Sequence, residues 1–398
     1  MRLIVVGGKL QGTEAVYLGL KAGHDVVLVD RRPGVPASGL AAETHVFDVC
    51  AEEDRTRQLF MGGDAVLPAC EDDDTLAWLA ERAAAWGMPL LFDLPAYGMS
   101  SSKLKSNRLF DDLGVARPAP WPSCGFPIIV KPSGSSGSEG VRLVQDEDEL
   151  AVARAELEAR GHEAVVEEFA PGPSLSLEVI GWDGVAQPLL GTELEFDRYY
   201  DCKRVLAPVG GPDAGDVLAR FDEIGRKLAL GLGLNGVMDI EVMVNAGALK
   251  VLEIDARLPS QTPTVVFHSC GINIVGLLAE TVLAGRIAPV DRAVRRGCCY
   301  QHVCVSGGAV EVLGEHMMGA ARPLRLVPGL YGADEVITDL PHGASGDPDA
   351  EWVATIIALA PSAEAARAKA QAALARLADE HGLAITPETS AQPGDDCR

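Results

Sequence analysis

Two apolar segments joined by a short turn constrain the middle of this 398-residue chain more than any other feature. The segments VMDIEVMV (237–244) and LKVLEIDAR (249–257) flank the sequence NAGA, which is typical of a hairpin turn. Side chains of a strand alternate between its two faces, so Asp239 and Glu241 share one face, and Glu253 and Asp255 share one face of the next strand. The sequence therefore predicts an antiparallel hairpin whose acidic faces converge.

Four carboxylates on one sheet face would repel one another, so a cation is expected among them. Hard oxygen ligands favour Mg²⁺, which in proteins usually also binds substrate phosphates. The alternative interpretation is an acidic hairpin exposed to solvent. The apolar residues between the acids, in VMDIEVMV and VLEIDA, predict a buried opposite face and favour the metal site.

A glycine- and serine-rich segment, KPSGSSGSEG (131–140), follows an apolar run and precedes another. Such a segment can be a flexible linker, or a loop whose backbone N–H groups approach a polyphosphate. The second interpretation is favoured by its position between two predicted strands and by the acidic hairpin downstream. Lys131 would then point at a phosphate and Lys103 would supply a second positive charge. The segment is not a Walker A loop, because G-x-x-x-x-G-K-[ST] does not occur.

The segment VVEEF (165–169) is predicted to be a short strand that ends at a Pro-Gly turn. Its backbone could hydrogen-bond the edge of an adenine ring. An ordinary edge strand explains the same residues equally well.

The first hundred residues alternate apolar strands with helices, which predicts a Rossmann-like parallel α/β sheet. The first turn, VVGGKLQG, invites a dinucleotide-binding interpretation. Lys9 occupies the second glycine position of that fingerprint and counts against a dehydrogenase. Asp30 ends the second strand where a ribose-binding acid would lie. A tentative nucleotide contact is therefore predicted for Lys9, Asp30 and Asp48.

The pattern changes near Pro95 and again near Arg295. We predict a Rossmann-like domain over residues 1–98, a central domain rich in antiparallel strands over 99–296, and a small α+β region over 297–386. Residues 387–398 are predicted to form a disordered tail. The predicted fold class is therefore mixed, with α/β and α+β parts.

Charge and cysteine content exclude several classes of partner. The net charge of −23 disfavours phosphate backbones, so no nucleic acid is expected. No apolar run reaches the length of a membrane span, and the N-terminus MRLIVVGG lacks the layout of a signal peptide. The nine cysteines show no C-x-x-C spacing, which indicates reduced thiols and a cytoplasmic protein.

Together, Lys103 and the segments VKPSGSSGSEGV, VEEF, MDIE and LEIDAR resemble the ATP-grasp ligase superfamily. Members activate a carboxylate with ATP and Mg²⁺ and pass the acyl group to an amine or thiol. The segments VGGKLQGTEAVYL, GHDVVLVD, YYDC and EIDARLPSQTPTVVFHSCGIN further resemble the ligases that join 3-methyl-D-ornithine to L-lysine in pyrrolysine biosynthesis. This resemblance covers about residues 1–305 and implies a pre-ATP-grasp domain, a central ATP-grasp fold and two small amino-acid substrates. A homodimer is left open.

The resemblance also implies roles for individual residues. Glu241, Glu253 and Asp255 would bind Mg²⁺, and Arg257 would act with Lys131 on the transferring phosphoryl group. The residues implied to bind ATP are Lys103, Lys131, Ser133, Ser135, Ser136, Gly137, Glu167, Glu168 and Phe169. Those implied to surround the ornithine-type substrate are Ser176, Leu177, Glu178, Asp201, Asp239, Arg257, Ser260, Gln261 and Thr262. Those implied to face lysine are Leu10, Gln11 and Glu71.

One departure from the superfamily concerns ribose. Its members often carry an acid beyond the hinge, placed to bind the ribose hydroxyls, whereas this chain has Pro171-Gly172-Pro173. Other functions left open are a different ATP-grasp amino-acid ligase, a dehydrogenase and a non-enzymatic nucleotide-binding module. The group that deprotonates the lysine amine is also left open.

Overall fold

A computed structural model describes residues 1–135, 137, 140–245, 247–341 and 350–388. Ser136, one of the residues predicted to bind ATP, lies outside the described residues, as does most of the predicted tail, 389–398. Of that tail, Glu388 is described, and its carboxylate lies 2.9 Å from Lys203 Nζ and 2.5 Å from an Arg204 nitrogen. Ordered contacts therefore extend past residue 387.

The N-terminal part is a four-stranded parallel sheet, as predicted. Its order is β3-β2-β1-β4. The strands are β1 (Arg2–Val6), β2 (Asp25–Asp30), β3 (Glu43–Val46) and β4 (Ala65–Pro68). The helices of this part are α1 (Leu10–Lys21), α2 (Glu53–Phe60) and α3 (Asp73–Trp86), and a 3-10 turn covers Pro36–Gly39.

The turn between β1 and α1 needs its glycines. A Cβ on Gly12 would lie 2.2 Å from the carbonyl oxygen of Gly7, so only glycine lets α1 start this close to β1. Gly7 itself has a φ of +106°, a conformation that glycine adopts readily. The glycines of VVGGKLQG are therefore explained by backbone packing, with no ligand required.

A connection containing α4 (Leu94–Ser100) and α5 (Lys103–Leu113) leads to a three-stranded antiparallel sheet of order β6-β5-β7. Its strands are β5 (Ile128–Pro132), β6 (Arg142–Val144) and β7 (Ala164–Glu168), and α6 (Glu147–Ala159) lies between β6 and β7 in the chain. The glycine- and serine-rich segment connects β5 to β6. The strand ending in Lys131-Pro132 is therefore directly continuous with that loop.

The remaining described strands form one large, mainly antiparallel sheet. Its main path is β12-β11-β8-β9-β10-β13-β17-β16-β15, and β14 pairs with β13 and β18. The strands are β8 (Ser174–Trp182), β9 (Val185–Phe196), β10 (Cys202–Ala207), β11 (Gly236–Asn245), β12 (Ala248–Asp255), β13 (Gly297–Ser306), β14 (Ala309–Glu311), β15 (Arg325–Pro328), β16 (Glu335–Thr338), β17 (Trp352–Ala360) and β18 (Ala384–Ile385).

Four helices pack around this sheet, namely α7 (Ala214–Leu232), α8 (Thr262–Cys270), α9 (Ile274–Ala284) and α10 (Ala363–His381), and 3-10 turns cover Glu315–Ala320 and Leu330–Gly332. The sheet crosses the predicted domain boundary at 296/297, because β10 pairs with β13 from Arg204↔Gln301 to Ala207↔Cys298. The central and C-terminal regions thus share one hydrogen-bonded sheet.

The hairpin of β11 and β12 has one apolar and one acidic face, as predicted. Ile240, Val242 and Ile254 are buried in a cluster that includes Phe221 and Leu228 of α7. Because the period of a strand is two, this burial fixes the acids on the opposite face.

One local prediction is wrong. The apolar residues 90–92 predict a further strand of the N-terminal sheet, but they form only an isolated bridge, Val66↔Leu90, because Asp93 caps the next helix. The segment SSSKLKSNRLFDDLGV (100–115) predicts a capped helix that ends at Gly114, and α5 confirms this prediction, with Ser102 as its N-cap and Gly114 as its C-cap. The side chain of Ser102 accepts a hydrogen bond from the Lys105 N–H and so stabilises the start of α5.

Among the described residues, no single helix is long and apolar enough to cross a membrane, and α8 and α9 meet that test only as a pair bent by 92°.

Asp93 connects the N-terminal part to the start of the acidic hairpin. Its Oδ1 accepts the Ala96 N–H at 3.1 Å and its Oδ2 accepts the Asn235 N–H at 2.6 Å. We expect Asp93→Ala to lower the free energy of unfolding by about 2 kcal/mol, because it removes a helix cap and a second hydrogen bond. Urea denaturation measures the change.

Asp146→Ala is the matched control. Asp146 caps α6 by accepting the Glu149 N–H at 2.9 Å, and its side chain accepts no second backbone N–H from the residues that the structure describes. Its replacement should cost about 1 kcal/mol. Equal losses in the two variants would mean that the bond to Asn235 contributes nothing to stability.

Candidate active site

The acidic faces of the hairpin converge as predicted. Asp239 lies directly opposite Asp255, and Glu241 directly opposite Glu253, in the register of β11 and β12. All four side chains line one cavity of about 90 Å³, here called the acidic cavity. The ladder shifts register immediately after Glu241, which places this bulge at the edge of the site.

Two cations contact these acids, and Lys131 lies near enough to act on Glu241 and Glu253. Lys103 Nζ is 2.9 Å from Glu253 Oε2, and an Arg257 nitrogen is 2.8 Å from Asp255 Oδ2. Burial and the facing Glu253 raise the pKa of Glu241 to about 8. Burial opposes ionisation of Glu253 as well, but Lys103 and Lys131 outweigh it and hold its pKa below the ordinary value. The two facing glutamates are therefore electrostatically unequal.

The two aspartates carry unsatisfied oxygens. Oδ1 of Asp239 and Oδ1 of Asp255 are buried and accept no hydrogen bond from any described residue. Burial and the facing Asp255 raise the pKa of Asp239 well above its ordinary value, and burial raises the pKa of Asp255 to about 6, against the opposing effect of Arg257. These buried acids have spare oxygen atoms and an excess of negative charge.

The donor set fits a hard divalent cation. Within the described residues, no group of three or more His, Cys, Asp or Glu side chains is arranged to hold a metal ion alone. A cation here would therefore need further oxygens from water or a substrate. Mg²⁺ sites in proteins are commonly of that kind, with one or two carboxylates completed by phosphate oxygens.

A larger cavity of about 820 Å³ adjoins the acids; we call it the hinge cavity. It is lined by six of the residues predicted to bind ATP, namely Lys103, Lys131, Ser135, Glu167, Glu168 and Phe169. Glu241 and Glu253 line it as well. The structure therefore brings six of the predicted nucleotide residues and two of the three predicted metal ligands to one cavity, whereas Asp255 lines the acidic cavity.

Lys131 and Glu167 form a buried ion pair across β5 and β7, with 2.6 Å between Lys131 Nζ and Glu167 Oε1. Glu168 instead pairs with Lys250 at 2.6 Å, and its N–H donates to the Ala119 carbonyl. The strand β7 is an edge strand of its small sheet and also lines the hinge cavity. The edge-strand interpretation of VVEEF is therefore confirmed, and its contact with an adenine ring stays a prediction.

Two other residues predicted to contact ATP lie elsewhere. Ser133 is buried beneath the loop, and its Oγ accepts the Leu104 N–H at 3.2 Å, so it anchors the loop to α5 instead of lining the hinge cavity. Gly137 lines the acidic cavity and a third cavity described below. Of the described loop residues, Ser135 therefore lines the hinge cavity and Gly137 lines the acidic cavity.

Most residues predicted to surround the ornithine-type substrate line the acidic cavity. These are Ser176, Asp201, Asp239, Arg257, Ser260, Gln261 and Thr262. Leu177 was predicted to surround the same substrate, and this prediction was wrong. Its side chain is fully buried in the core cluster beneath β8, because side chains alternate along a strand and Leu177 points away from the face of Ser176 and Glu178. Glu178 is fully buried opposite Asp239, and burial raises the pKa of Glu178 to about 7.

Gln261 adopts a rare backbone conformation. Its φ of 69° and ψ of −61°, with a 2.8 Å hydrogen bond from the Thr262 N–H to the Ser260 carbonyl, define a classic γ-turn. Such strain persists only where the surroundings enforce it, and it clusters at functional sites. The turn aims the Ser260, Gln261 and Thr262 side chains into the acidic cavity at the start of α8.

The third cavity, of about 630 Å³, lies at the carboxyl edge of the N-terminal sheet; we call it the N-terminal cavity. It brings together Leu10, Gln11 and Glu71, the residues predicted to face lysine. Gln11 Nε2 donates to Glu71 Oε1 at 2.7 Å, and an Arg257 nitrogen lies 2.8 Å from the same oxygen. Arg257 therefore connects Glu71 in this cavity with Asp255 in the acidic cavity.

The tentative nucleotide contacts lie here as well. Lys9, Asp30 and Asp48 line the N-terminal cavity and not the hinge cavity. Asp30 accepts the Gly8 N–H at 2.8 Å, and Asp48 accepts the Cys50 N–H at 2.9 Å, so both stabilise loops. These three residues therefore line a different cavity from the one that contains most of the residues predicted to bind ATP.

Sequence reasoning missed two groups of site residues. Lys203 and Arg204 both line the hinge cavity, because a bulge in β10 turns neighbouring residues to one face. Glu315 and His316 come from the 3-10 turn Glu315–Ala320, where Glu315 accepts the Ser260 hydroxyl at 2.6 Å and His316 Nδ1 hydrogen-bonds Asp201. Two consecutive basic residues in the apolar strand CKRVLA could have indicated that Lys203 and Arg204 belong to a site. The sequence around Glu315 contains no comparable signal.

Removal of one buried acid gives a pH-dependent prediction. An unfolded glutamate ionises near its ordinary pKa of 4.5, whereas folded Glu241 keeps its proton to about 8, so this residue destabilises the fold increasingly between those pH values. Without divalent cations, Glu241→Gln should raise Tm by a few degrees, and the gain should grow from about pH 5 to about pH 8. Thermal melts in a chelating buffer measure it.

Glu156→Gln, which removes a surface ion pair with Arg142, is the control and should show no such pH trend. Added Mg²⁺ should stabilise the parent more than the Glu241→Gln variant. A gain that is constant across this pH range would contradict the raised pKa.

The model of the ATP-grasp domain family matches residues 100–261. The chain is 38% identical over 322 residues to 3-methyl-D-ornithine–L-lysine ligase of Methanosarcina acetivorans, covering 79% of this chain and 83% of that protein. This degree of similarity shows common family membership, and the matched domain contains most residues lining the hinge and acidic cavities.

Solved structures show the same fold at low identity. The biotin carboxylase domain of Hydrogenobacter thermophilus 2-oxoglutarate carboxylase, solved with MgADP and bicarbonate, has a TM-score of 0.72 at 15% identity and covers 94% of this chain and 89% of that chain. An L-amino acid ligase from Bacillus licheniformis has a TM-score of 0.67 at 19% identity, covering 94% and 97%. The fold likeness thus extends beyond the matched domain to most of the chain.

Proposed function

Since this chain belongs to the 3-methyl-D-ornithine–L-lysine ligase family of ATP-grasp enzymes, we propose that it joins the carboxylate of 3-methyl-D-ornithine to the ε-amine of L-lysine. ATP would be converted to ADP and phosphate. The observation that carries this proposal is the meeting of three cavities around Arg257 and the acidic hairpin. Three cavities would allow the nucleotide, the acyl donor and the amine to occupy one cavity each.

The first chemical step prepares the carboxylate for attack. A carboxylate is a poor electrophile, and phosphorylation gives it a leaving group. Phosphoryl transfer depends on positioning and charge neutralisation more than on covalent help from the protein. Lys103 and Lys131 in the hinge cavity, with Arg257 beside Asp255, supply positive charge where the phosphates would lie.

A bound Mg²⁺ would neutralise charge on the phosphates and would be held by Glu241 and Glu253, with Asp255 beside them. The two facing glutamates differ in protonation. Lys103 keeps Glu253 ionised, whereas burial makes Glu241 hold a proton, which it would release when the cation binds. In the hinge cavity, the strand residues Glu167, Glu168 and Phe169 are proposed to contact the adenine.

The acyl donor is assigned to the acidic cavity. An ornithine-type substrate carries two ammonium groups, and this cavity offers buried carboxylates to bind them: Asp201 and Asp239 line it, and Glu178 lies behind. Ser260, Gln261 and Thr262 add polar atoms from the strained turn. These carboxylates would favour a small amino acid that carries two positively charged groups.

The amine is assigned to the N-terminal cavity. Gln11 and Glu71 can bind the α-ammonium group of lysine, since Glu71 is an acceptor already held by Gln11 and Arg257. Leu10 provides an apolar contact for the four-carbon side chain. The ε-amine would then reach the acyl group from the side opposite the hinge cavity.

The proposed partners are small amino acids, with no nucleic acid or membrane in the reaction. We propose the cytoplasm as its compartment. The eight cysteines within the described part of the chain are free thiols, as expected in a reducing environment.

The proposal is tested by mass spectrometry of the product formed from 3-methyl-D-ornithine, L-lysine, ATP and Mg²⁺. We expect one amide between the ornithine carboxylate and the lysine side-chain nitrogen, with one ADP released per product. Glu253→Gln should abolish product formation while leaving the protein folded, because the carboxylate opposite Glu241 is lost.

Omission of either amino acid is the control, and neither omission should give the amide. ADP release with another amino-acid pair, but not with this one, would overturn the substrates while leaving the ligase family intact. Binding of ATP with no turnover for any amino acid would overturn the ligase activity itself.

A further inference from the structure

The acidic cavity and the N-terminal cavity meet at a small set of residues. Of the residues that the structure describes, four line both cavities: Gly137, Arg257, Ser260 and Glu315. If the acyl donor occupies one cavity and the amine the other, the new bond forms where these residues lie. This step rests on the proposed function, which assigns one substrate to each cavity.

Only one of the shared side chains is suited to accept a proton. Arg257 is a permanent cation between Asp255 and Glu71, and Gly137 has no side chain. The Ser260 hydroxyl donates to Glu315 Oε2 at 2.6 Å. Glu315 is therefore the carboxylate of this junction, and it is placed there by the first residue of a 3-10 turn.

The reaction requires a proton acceptor at this point. A lysine ammonium, with an ordinary pKa of about 10.4, has no lone pair and cannot attack an acyl group. We propose that Glu315 accepts the first proton of the ε-ammonium group and so generates the nucleophilic amine. The amine forms the C–N bond, the C–O bond to phosphate breaks, and the second nitrogen proton leaves with the phosphate, giving an amide, HPO₄²⁻ and a protonated Glu315.

The surroundings of Glu315 suit this role. Burial, with the nearby Asp201 carboxylate, raises the pKa of Glu315 and makes it a stronger base than an exposed glutamate. Hydrogen bonds from Ser260 and Gln261 and the charge of Arg257 oppose this shift. The opposing effects keep an ionised form accessible while the base strength is increased.

The neighbouring His316 is the competing acceptor. Its Nδ1 hydrogen-bonds Asp201, and it lines the N-terminal cavity but not the acidic cavity. It therefore contacts the space assigned to the amine and not the space assigned to the acyl group. Glu315 reaches both, which is why we assign the proton transfer to Glu315.

Two nucleophiles of different basicity test the assignment. Hydroxylamine is largely unprotonated at neutral pH and needs no proton acceptor before it attacks an acyl phosphate, whereas lysine does. In Glu315→Gln, amide formation with L-lysine should fall about 100-fold or more, the usual contribution of a general base. Hydroxamate formation from 3-methyl-D-ornithine, ATP and hydroxylamine should stay within about threefold of the parent.

Glu311→Gln is the matched control. Glu311 lies four residues earlier, pairs with Arg198 and lines none of the three cavities, so both rates should be unchanged. Thermal melts verify folding of each variant. If Glu315→Gln does not fold, Glu315→Asp replaces it: it keeps the carboxylate, shortens its reach and should slow lysine ligation alone.

Three results would overturn the role of Glu315. These are equal losses with both nucleophiles, an unchanged rate with lysine, and a lysine-specific loss in His316→Gln but not in Glu315→Gln. A parent enzyme that forms neither hydroxamate nor amide would instead overturn the proposed function, and the role of Glu315 with it.

Discussion

The structure depends on the burial of paired carboxylates on one face of a two-stranded hairpin. Taking ionised groups out of water is costly unless opposite charges or protons compensate. Lys103 and Arg257 supply two of the compensating positive charges. Glu241 holds a proton, so it is buried in its neutral form. The cations come from separate parts of the chain, so the hairpin brings α5, β5 and the segment after β12 to one place.

The large antiparallel sheet determines which parts of the molecule can reach this hairpin. Pairing of β10 with β13 connects the C-terminal region to the central one. The turn that follows β14 brings Glu315 to the acidic cavity and His316 to Asp201. The C-terminal region is therefore a structural part of the site. Its Arg367 and Glu388 also line the hinge cavity.

How much could be predicted from the sequence depended on how local each signal was. The hairpin, its acidic face and the parallel N-terminal sheet were predictable, because alternation and turn composition determine them over a few residues. The substrate contact predicted for Leu177 was wrong because side chains alternate along β8, which puts Leu177 on the opposite face from Ser176 and Glu178. Glu315 could not have been found, because its position depends on pairing between strands a hundred residues apart in the chain.

Electrostatic detail was equally beyond the sequence. Glu241 and Glu253 are the same residue type, and their proton affinities differ because of their surroundings: Lys103 lies 2.9 Å from Glu253 and acts on it together with Lys131, whereas burial and Glu253 raise the pKa of Glu241. The bulge in β10 that directs both Lys203 and Arg204 into one cavity likewise follows from a shift in strand register. Such features depend on three-dimensional distances that no spacing in the chain encodes.

The γ-turn at Gln261 has an evolutionary consequence. Glycine would adopt its left-handed φ with less strain, so a library screened for heat resistance alone would be drawn toward glycine at this position. That exchange would remove an amide from the wall of the acidic cavity. Directed evolution for robustness and natural selection for turnover would therefore pull residue 261 in opposite directions.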